Sequence, residues 1–210
     1  MSGRTPSPLA ALLRVGVYAV GLFLLANIAL LWVPAEDAGQ LFKEDGRLEL
    51  VQVALLILML ALMVDAARRV PATRPLSVLL AGVAVAALVR EHNNWFKDEI
   101  GRGVWQAVVG VVLVVTAIIA KRLGGDLRGS IVDLIARPAF GYLAGGVVIF
   151  AYGQVLDELP IWQLLLGPEV PYAAQRMAEE CVETASYWLL AAGLFEWWLT
   201  TPRPSTAEAA

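Results

Sequence analysis

Arg90, Glu91 and His92 follow PLSVLLAGVAVAALV, fifteen residues without a charge, and His92 is the only histidine in the chain. A guanidinium, a carboxylate and an imidazole at the end of an apolar run can pair with one another, hold an ion or share a proton. Other helix-like blocks carry similar groups near one end: Glu49 and Gln52, Gln154 and Asp157, and Glu179, Glu180 and Glu183. Hard oxygen ligands of this kind suit Mg²⁺, Ca²⁺ or Mn²⁺, and the metal set would be Glu49, Glu91, His92 and Glu183. Crowded carboxylates also raise one another's pKa and so can carry protons. Arg90 fits an anionic ligand better than a metal, because a fixed cation repels a second one. No cofactor is identified; a divalent cation is compatible with the set.

The familiar catalytic signatures are missing. The chain has no G-x-S-x-G, H-E-x-x-H or C-x-x-C motif and no phosphate loop. Paired E-x-x-H motifs of di-iron bundles are also missing. Ser186 lies a turn from Glu183 but has no activating context in the sequence. Cys181 is the single cysteine, so an internal disulfide is excluded, and its acidic neighbours disfavour a thiolate. The formal net charge is −3, and no nucleic-acid partner is expected.

The elements that must position these groups are apolar. Of the 210 residues 59% are hydrophobic, and the mean hydropathy is +0.67, against ~45–50% for a soluble domain. The excess is blocked at roughly 14–34, 49–67, 76–95, 104–120, 139–158 and 179–199, each near the ~20 residues that cross a bilayer. The expectation is all-α: an integral-membrane bundle of six transmembrane helices over 14–200, with tails at 1–13 and 201–210. A soluble protein with buried core helices is the rival. The first block is longer than a signal-peptide core, which predicts an uncleaved first helix.

Charge sets the expected orientation. Arg4, Arg14, Arg68, Arg69, Arg74, Lys121, Arg122, Arg128, Arg137 and Arg203 fall on one side, ten of the sixteen basic residues. The positive-inside rule makes that side cytoplasmic, with both termini, in a bacterial inner membrane. Fourteen of the nineteen acids fall on the other side or at its edge. Trp32, Trp95, Trp105 and Trp162 would form an outer aromatic belt, with Trp197 and Trp198 in the inner one.

Counting from Leu76 carries the third helix to Trp95, placing Arg90, Glu91 and His92 up to a turn inside the boundary. Glu183 would sit one turn inside the sixth helix and Glu179 at its solvated edge. A lone charge facing lipid costs on the order of 2–3 kcal/mol or more. Turning inward is cheaper, so Arg90 would meet Glu49, Glu180 or Glu183, with Gln52, Gln154, Asn93 and Asn94 completing the hydrogen bonds. Glu91 and His92 lie ~100° apart on a helix and need not share a cavity. Snorkelling to the headgroups is the structural alternative. At the other end Asp65 would pair with Arg68 or Arg69 and Asp133 with Arg137, at helical spacing. DLRGSIVDLIARP reads as a short interfacial helix, Glu196 has no obvious local partner, and Gly141 with Gly145 forms a small-xxx-small pattern.

EDGRLELVQ, REHNNW and EECVETASYWLL resemble segments of bacterial polytopic membrane proteins with acidic helix-end motifs, a resemblance that implies a membrane fold and no activity. The residues then support three readings. The first is a protein binding or transporting an ion or a small anionic or lipid ligand at Glu49, Gln52, Arg90, Glu91, Gln154, Asp157, Glu180 and Glu183. The second is a membrane enzyme acting on a lipid or lipid-linked substrate at the outer leaflet. The third is an accessory subunit of a larger membrane complex, or a homo-oligomer, in which Glu196 and Asp65 meet partner residues. Membrane lipids are expected partners in each case.

Overall fold

Proline and glycine divide the apolar chain into rods. Proline, which lacks the N–H that a first turn leaves unpaired, opens several helices. Gly103 at φ +83° and Gly125 at φ +99° take left-handed turns between helices that other residues resist. The computed structural model describes residues 8–31, 46–167 and 172–201, and its regular elements are all helical. In chain order they are α1 (Pro8–Leu31), α2 (Arg47–Arg69), a 3₁₀ turn (Pro71–Thr73), α3 (Arg74–Glu91) and α4 (Asn93–Glu99). They continue with α5 (Val104–Arg122), α6 (Leu127–Ile135), α7 (Pro138–Leu156), α8 (Leu159–Leu166) and α9 (Tyr172–Thr200).

Among the described residues five helices are long and apolar enough to cross a membrane: α1, α2, α3 with the 3₁₀ turn before it, α5 and α7. The sixth block folds as α9, 29 residues long, but it carries Arg176 and four glutamates and falls short of the same apolarity. Its position explains that composition. Packing against α1, α2 and α7 surrounds α9 with protein, so its charges meet other side chains. The core joins Leu56, Met59 and Met63 of α2 to Tyr187, Leu194 and Trp197 of α9. Trp197 is fully buried there and does not belong to a boundary belt, whereas Trp95 is exposed.

Side-chain contacts give the helix directions. Gln52 meets Glu180 and Asp65 meets Trp198, so α2 and α9 run parallel. Gln154 meets Glu183, whereas Gly193 packs on Leu143, so α7 runs antiparallel to α9. One end of the molecule therefore gathers the start of α2, the end of α3, the end of α7 and the first turns of α9. The opposite end gathers Arg68, Arg69 and Arg74.

The small-residue contacts differ from the expected pair. A Cβ on Gly141 or Gly145 would meet nothing within 4 Å. Close approach of α7 to α9 runs instead through Gly146, where a Cβ would lie 2.7 Å from Leu190 Cγ, and Gly193, where it would lie 2.8 Å from Leu143. Where lipid surrounds a bundle, such close contact replaces the hydrophobic drive.

Glu196 and Asp65 both find partners within the chain. Glu196 accepts from Arg14 Nη1 at 2.9 Å and from Tyr18 Oη at 2.7 Å, which ties α1 to α9. Asp65 accepts from Arg69 Nε at 2.8 Å and Trp198 Nε1 at 2.7 Å. DLRGSIVDLIARP does contain a helix, α6, capped by Asp126, and its Asp133 pairs with Arg137, the residue that precedes α7. Elsewhere α1 leaves a broad apolar surface uncovered, with Leu12, Val17 and Phe23 among its exposed residues.

Candidate functional site

The third helix ends earlier than its apolarity suggests. His92 departs from helical geometry (φ −94°, ψ +23°), and its Nδ1 lies 2.8 Å from the Leu88 carbonyl. A ring N–H there satisfies one of the carbonyls that a helix end leaves open. Asn93, Asn94 and Trp95 consequently belong to the separate helix α4, and Arg90 and Glu91 form the last turn of α3.

Arg90 binds across the bundle to Glu183. Its Nη2 lies 2.5 Å from Glu183 Oε1, and its Nη1 donates to Glu183 Oε2 at 3.3 Å. The same Nη1 donates to Glu91 Oε1 at 2.9 Å. Gln154 Nε2 adds a bond to Glu183 Oε1 at 2.7 Å, so α3, α7 and α9 meet on one carboxylate. The guanidinium also lies over the Phe150 ring, 5.0 Å from its centroid, a cation–π contact. Its side chain is 24% exposed and it is not at the end of an outstretched, snorkelling conformation, because both terminal nitrogens are held.

A second arginine arrangement stands beside the first. Arg176 donates to Glu179 Oε2 at 2.9 Å and to Glu180 Oε1 at 2.7 Å, three and four residues along α9. Glu180 Oε2 accepts from Gln52 Nε2 at 2.9 Å, and Gln52 also donates to Thr184 Oγ1 at 3.1 Å. Glu179 is buried, 5% exposed, rather than solvated at the helix edge as its position predicts. Its burial follows from the extra turns of α9, which starts at Tyr172 and continues the bundle beyond it.

These residues surround a polar pocket of about 250 Å³. Glu49, Arg90, Glu91, Asp157, Glu180 and Glu183 line it, together with Asn93, Asn94, Lys97, Arg176 and Glu179. Six of the eight expected ligand-binding residues thus face one cavity. Gln52, fully buried, and Gln154, exposed, are not in its lining but bond to Glu180 and Glu183, which are. His92 is exposed and does not line it. Among the described residues no three His, Cys, Asp or Glu side chains come together in a way that would hold a metal ion. Of the set Glu49, Glu91, His92 and Glu183, the three carboxylates line the pocket, and the His92 ring leaves the group where α3 ends.

Tyr187, Arg176 and Lys97 are the members that the sequence alone did not single out. Tyr187 Oη donates to Glu91 Oε1 at 2.6 Å from a side chain only 2% exposed. Tyr187 and Arg176 share a face with residues already suspect: Tyr187 is four residues past Glu183, and Arg176 is four before Glu180. Ser186 is occupied elsewhere, donating to the Gly146 carbonyl at 3.0 Å. Chemically, the site can hold charge and donors in fixed positions; a nucleophile with an adjacent base is not among its lining residues. No protein-family model matches the chain, and neither a curated protein nor a solved structure shows significant similarity to it.

Proposed function

We propose that this chain is a six-span membrane protein, with both termini cytoplasmic in a bacterial inner membrane, whose pocket binds a small cationic ligand from the periplasmic side. The observation that carries the ligand class is the charge of the lining: six carboxylates against three basic side chains. All three bases are already engaged, Arg90 and Arg176 by glutamates and Lys97 by Asn94 Oδ1 at 3.0 Å. An anionic ligand would have to break those ion pairs, whereas a cation joins the surplus of acceptors. Asn93 Oδ1, in the lining, and Gln52 Oε1, outside it, are buried acceptors without a donor among the described residues. An ammonium group supplies donors to such atoms. Dispersed carboxylates suit an organic ammonium better than a bare metal ion, which needs its ligands gathered. The basic excess at the Arg68–Arg74 end supports the orientation.

The test is thermal stability of the detergent-purified chain at constant ionic strength. Putrescine and spermidine should raise the melting temperature saturably, beyond the effect of sodium chloride. Inorganic phosphate should not. Stabilisation by phosphate and none by the amines would overturn the cationic reading and restore the anionic one.

A further inference from the structure

A second cavity lies at the opposite end of the molecule and is of a different kind. It is a groove of about 670 Å³ between α2, α3 and α5, lined almost entirely by apolar side chains. Met63 and Ala67 of α2, Val78 and Val85 of α3, and Val112 and Ile119 of α5 form its walls. Among the described residues Arg68 and Arg74 are its only charged lining residues. Arg74 Nε is held by the Ala67 carbonyl at 2.8 Å, which fixes its guanidinium at the mouth. Arg68 is exposed and forms no ion pair with a described residue.

The depth of the groove is informative. Arg74 and Val85 are eleven positions apart along α3, and Leu123, the residue just past α5, is eleven positions from Val112. Eleven residues rise ~16 Å, about one leaflet of a ~30 Å hydrocarbon core. The groove therefore runs from the basic end of the molecule to the middle of the spans. Near its deep end α3 and α5 close on each other at Gly82, where a Cβ would collide with the Thr116 side chain. Lys121 and Arg122 end α5 on the same side. The nearby Asp126 turns its carboxylate onto its own helix, accepting from the Gly129 amide at 2.8 Å.

We propose that this groove is a specific site for an anionic phospholipid of the surrounding bilayer, one acyl chain lying between α3 and α5 and the phosphate on Arg68 and Arg74. An apolar trough of one-leaflet depth with two guanidiniums at its mouth matches a molecule whose tail is apolar and whose head is an anion. Zwitterionic lipid fits the trough equally and the mouth poorly. The site rests on α2, α3 and α5 crossing the membrane and is independent of the pocket around Arg90.

Native mass spectrometry of the full chain in mild detergent, titrated with phosphatidylglycerol or phosphatidylcholine, tests it. Wild type should retain phosphatidylglycerol several-fold more tightly than phosphatidylcholine. Arg68→Gln should reduce that preference roughly fivefold, and Arg68→Gln with Arg74→Gln should abolish it. Val115→Trp, which fills the groove with a side chain, should weaken retention of both lipids. Equal retention of the two lipids by wild type would overturn the proposal, leaving annular contact only. A preference that survives the double substitution, or retention unchanged by Val115→Trp, would overturn it as well.

Discussion

Arg90 and Glu183 lie 93 residues apart in sequence and form a two-point ion pair, Nη2 to Oε1 at 2.5 Å and Nη1 to Oε2 at 3.3 Å. The pair joins the last turn of α3 to α9 and organises the polar end of the bundle. Glu183 is 3% exposed, so its charge depends on Arg90 and Gln154. Breaking a fully buried pair costs ~3–5 kcal/mol. Arg90 keeps some exposure, so Glu183→Gln should cost about 2–3 kcal/mol. Arg90→Gln should cost a similar amount. The double variant should fall short of the sum by at least ~1 kcal/mol. Denaturation in detergent of all four proteins measures this; strictly additive losses would mean that the two residues do not support each other.

Tyr187→Phe removes the short bond to Glu91 together with a long one, 3.5 Å, that the hydroxyl accepts from Arg90 Nη1. The ring stays and the donor to Glu91 at 2.6 Å is lost. A hydrogen bond to a charged group contributes ~1.5–3 kcal/mol, and the variant should be less stable by about that amount. Tyr152→Phe is the control, since Tyr152 is exposed and should be near neutral. Equal stability of the two variants would count against a buried Tyr187–Glu91 bond.

Glycine substitutions should separate the helix faces of α7. Gly146→Ala places a methyl group 2.7 Å from Leu190 Cγ and should destabilise by ~1–3 kcal/mol through overpacking. Gly141→Ala meets nothing and should be neutral or stabilise by up to ~1 kcal/mol through helix propensity. The reverse order would place the tight interface on the other face.

Glu196→Gln should loosen α1 in the isolated chain. It weakens the ion pair with Arg14 and changes the partner of Tyr18, and a loss of ~1–3 kcal/mol follows. The effect should appear in a monodisperse monomer. If stability falls only when a copurifying partner is present, the partner and not α1 is what Glu196 serves.

Single cysteines in a Cys181→Ser background test the orientation. Lys97→Cys, in α4, should react with an impermeant maleimide in intact cells. Arg128→Cys, in α6, should react only after permeabilisation. The opposite pattern would invert the proposed topology.

Composition and periodicity were enough to read helices of spanning length, because a charge-free block of ~20 residues can satisfy its backbone within itself in an apolar medium only as a helix. They were also enough to suspect Arg90, Glu91, Glu180 and Glu183: charges beside apolar runs are costly unless they meet. What local sequence lacked was the chain's surroundings at each position. Trp197 and Trp198 look alike as neighbours, yet one is fully buried in the core and the other shares Asp65. Gly141 and Gly146 are equally small, and only the rotation of α7 against α9 decides which one a neighbour occupies. His92 and Glu91 are adjacent, and the end of α3 sends the carboxylate to Tyr187 and the ring away from the pocket. Pair energies depend on distance and burial, and for residues as far apart in the chain as Arg90 and Glu183 those are set by how α3, α7 and α9 pack.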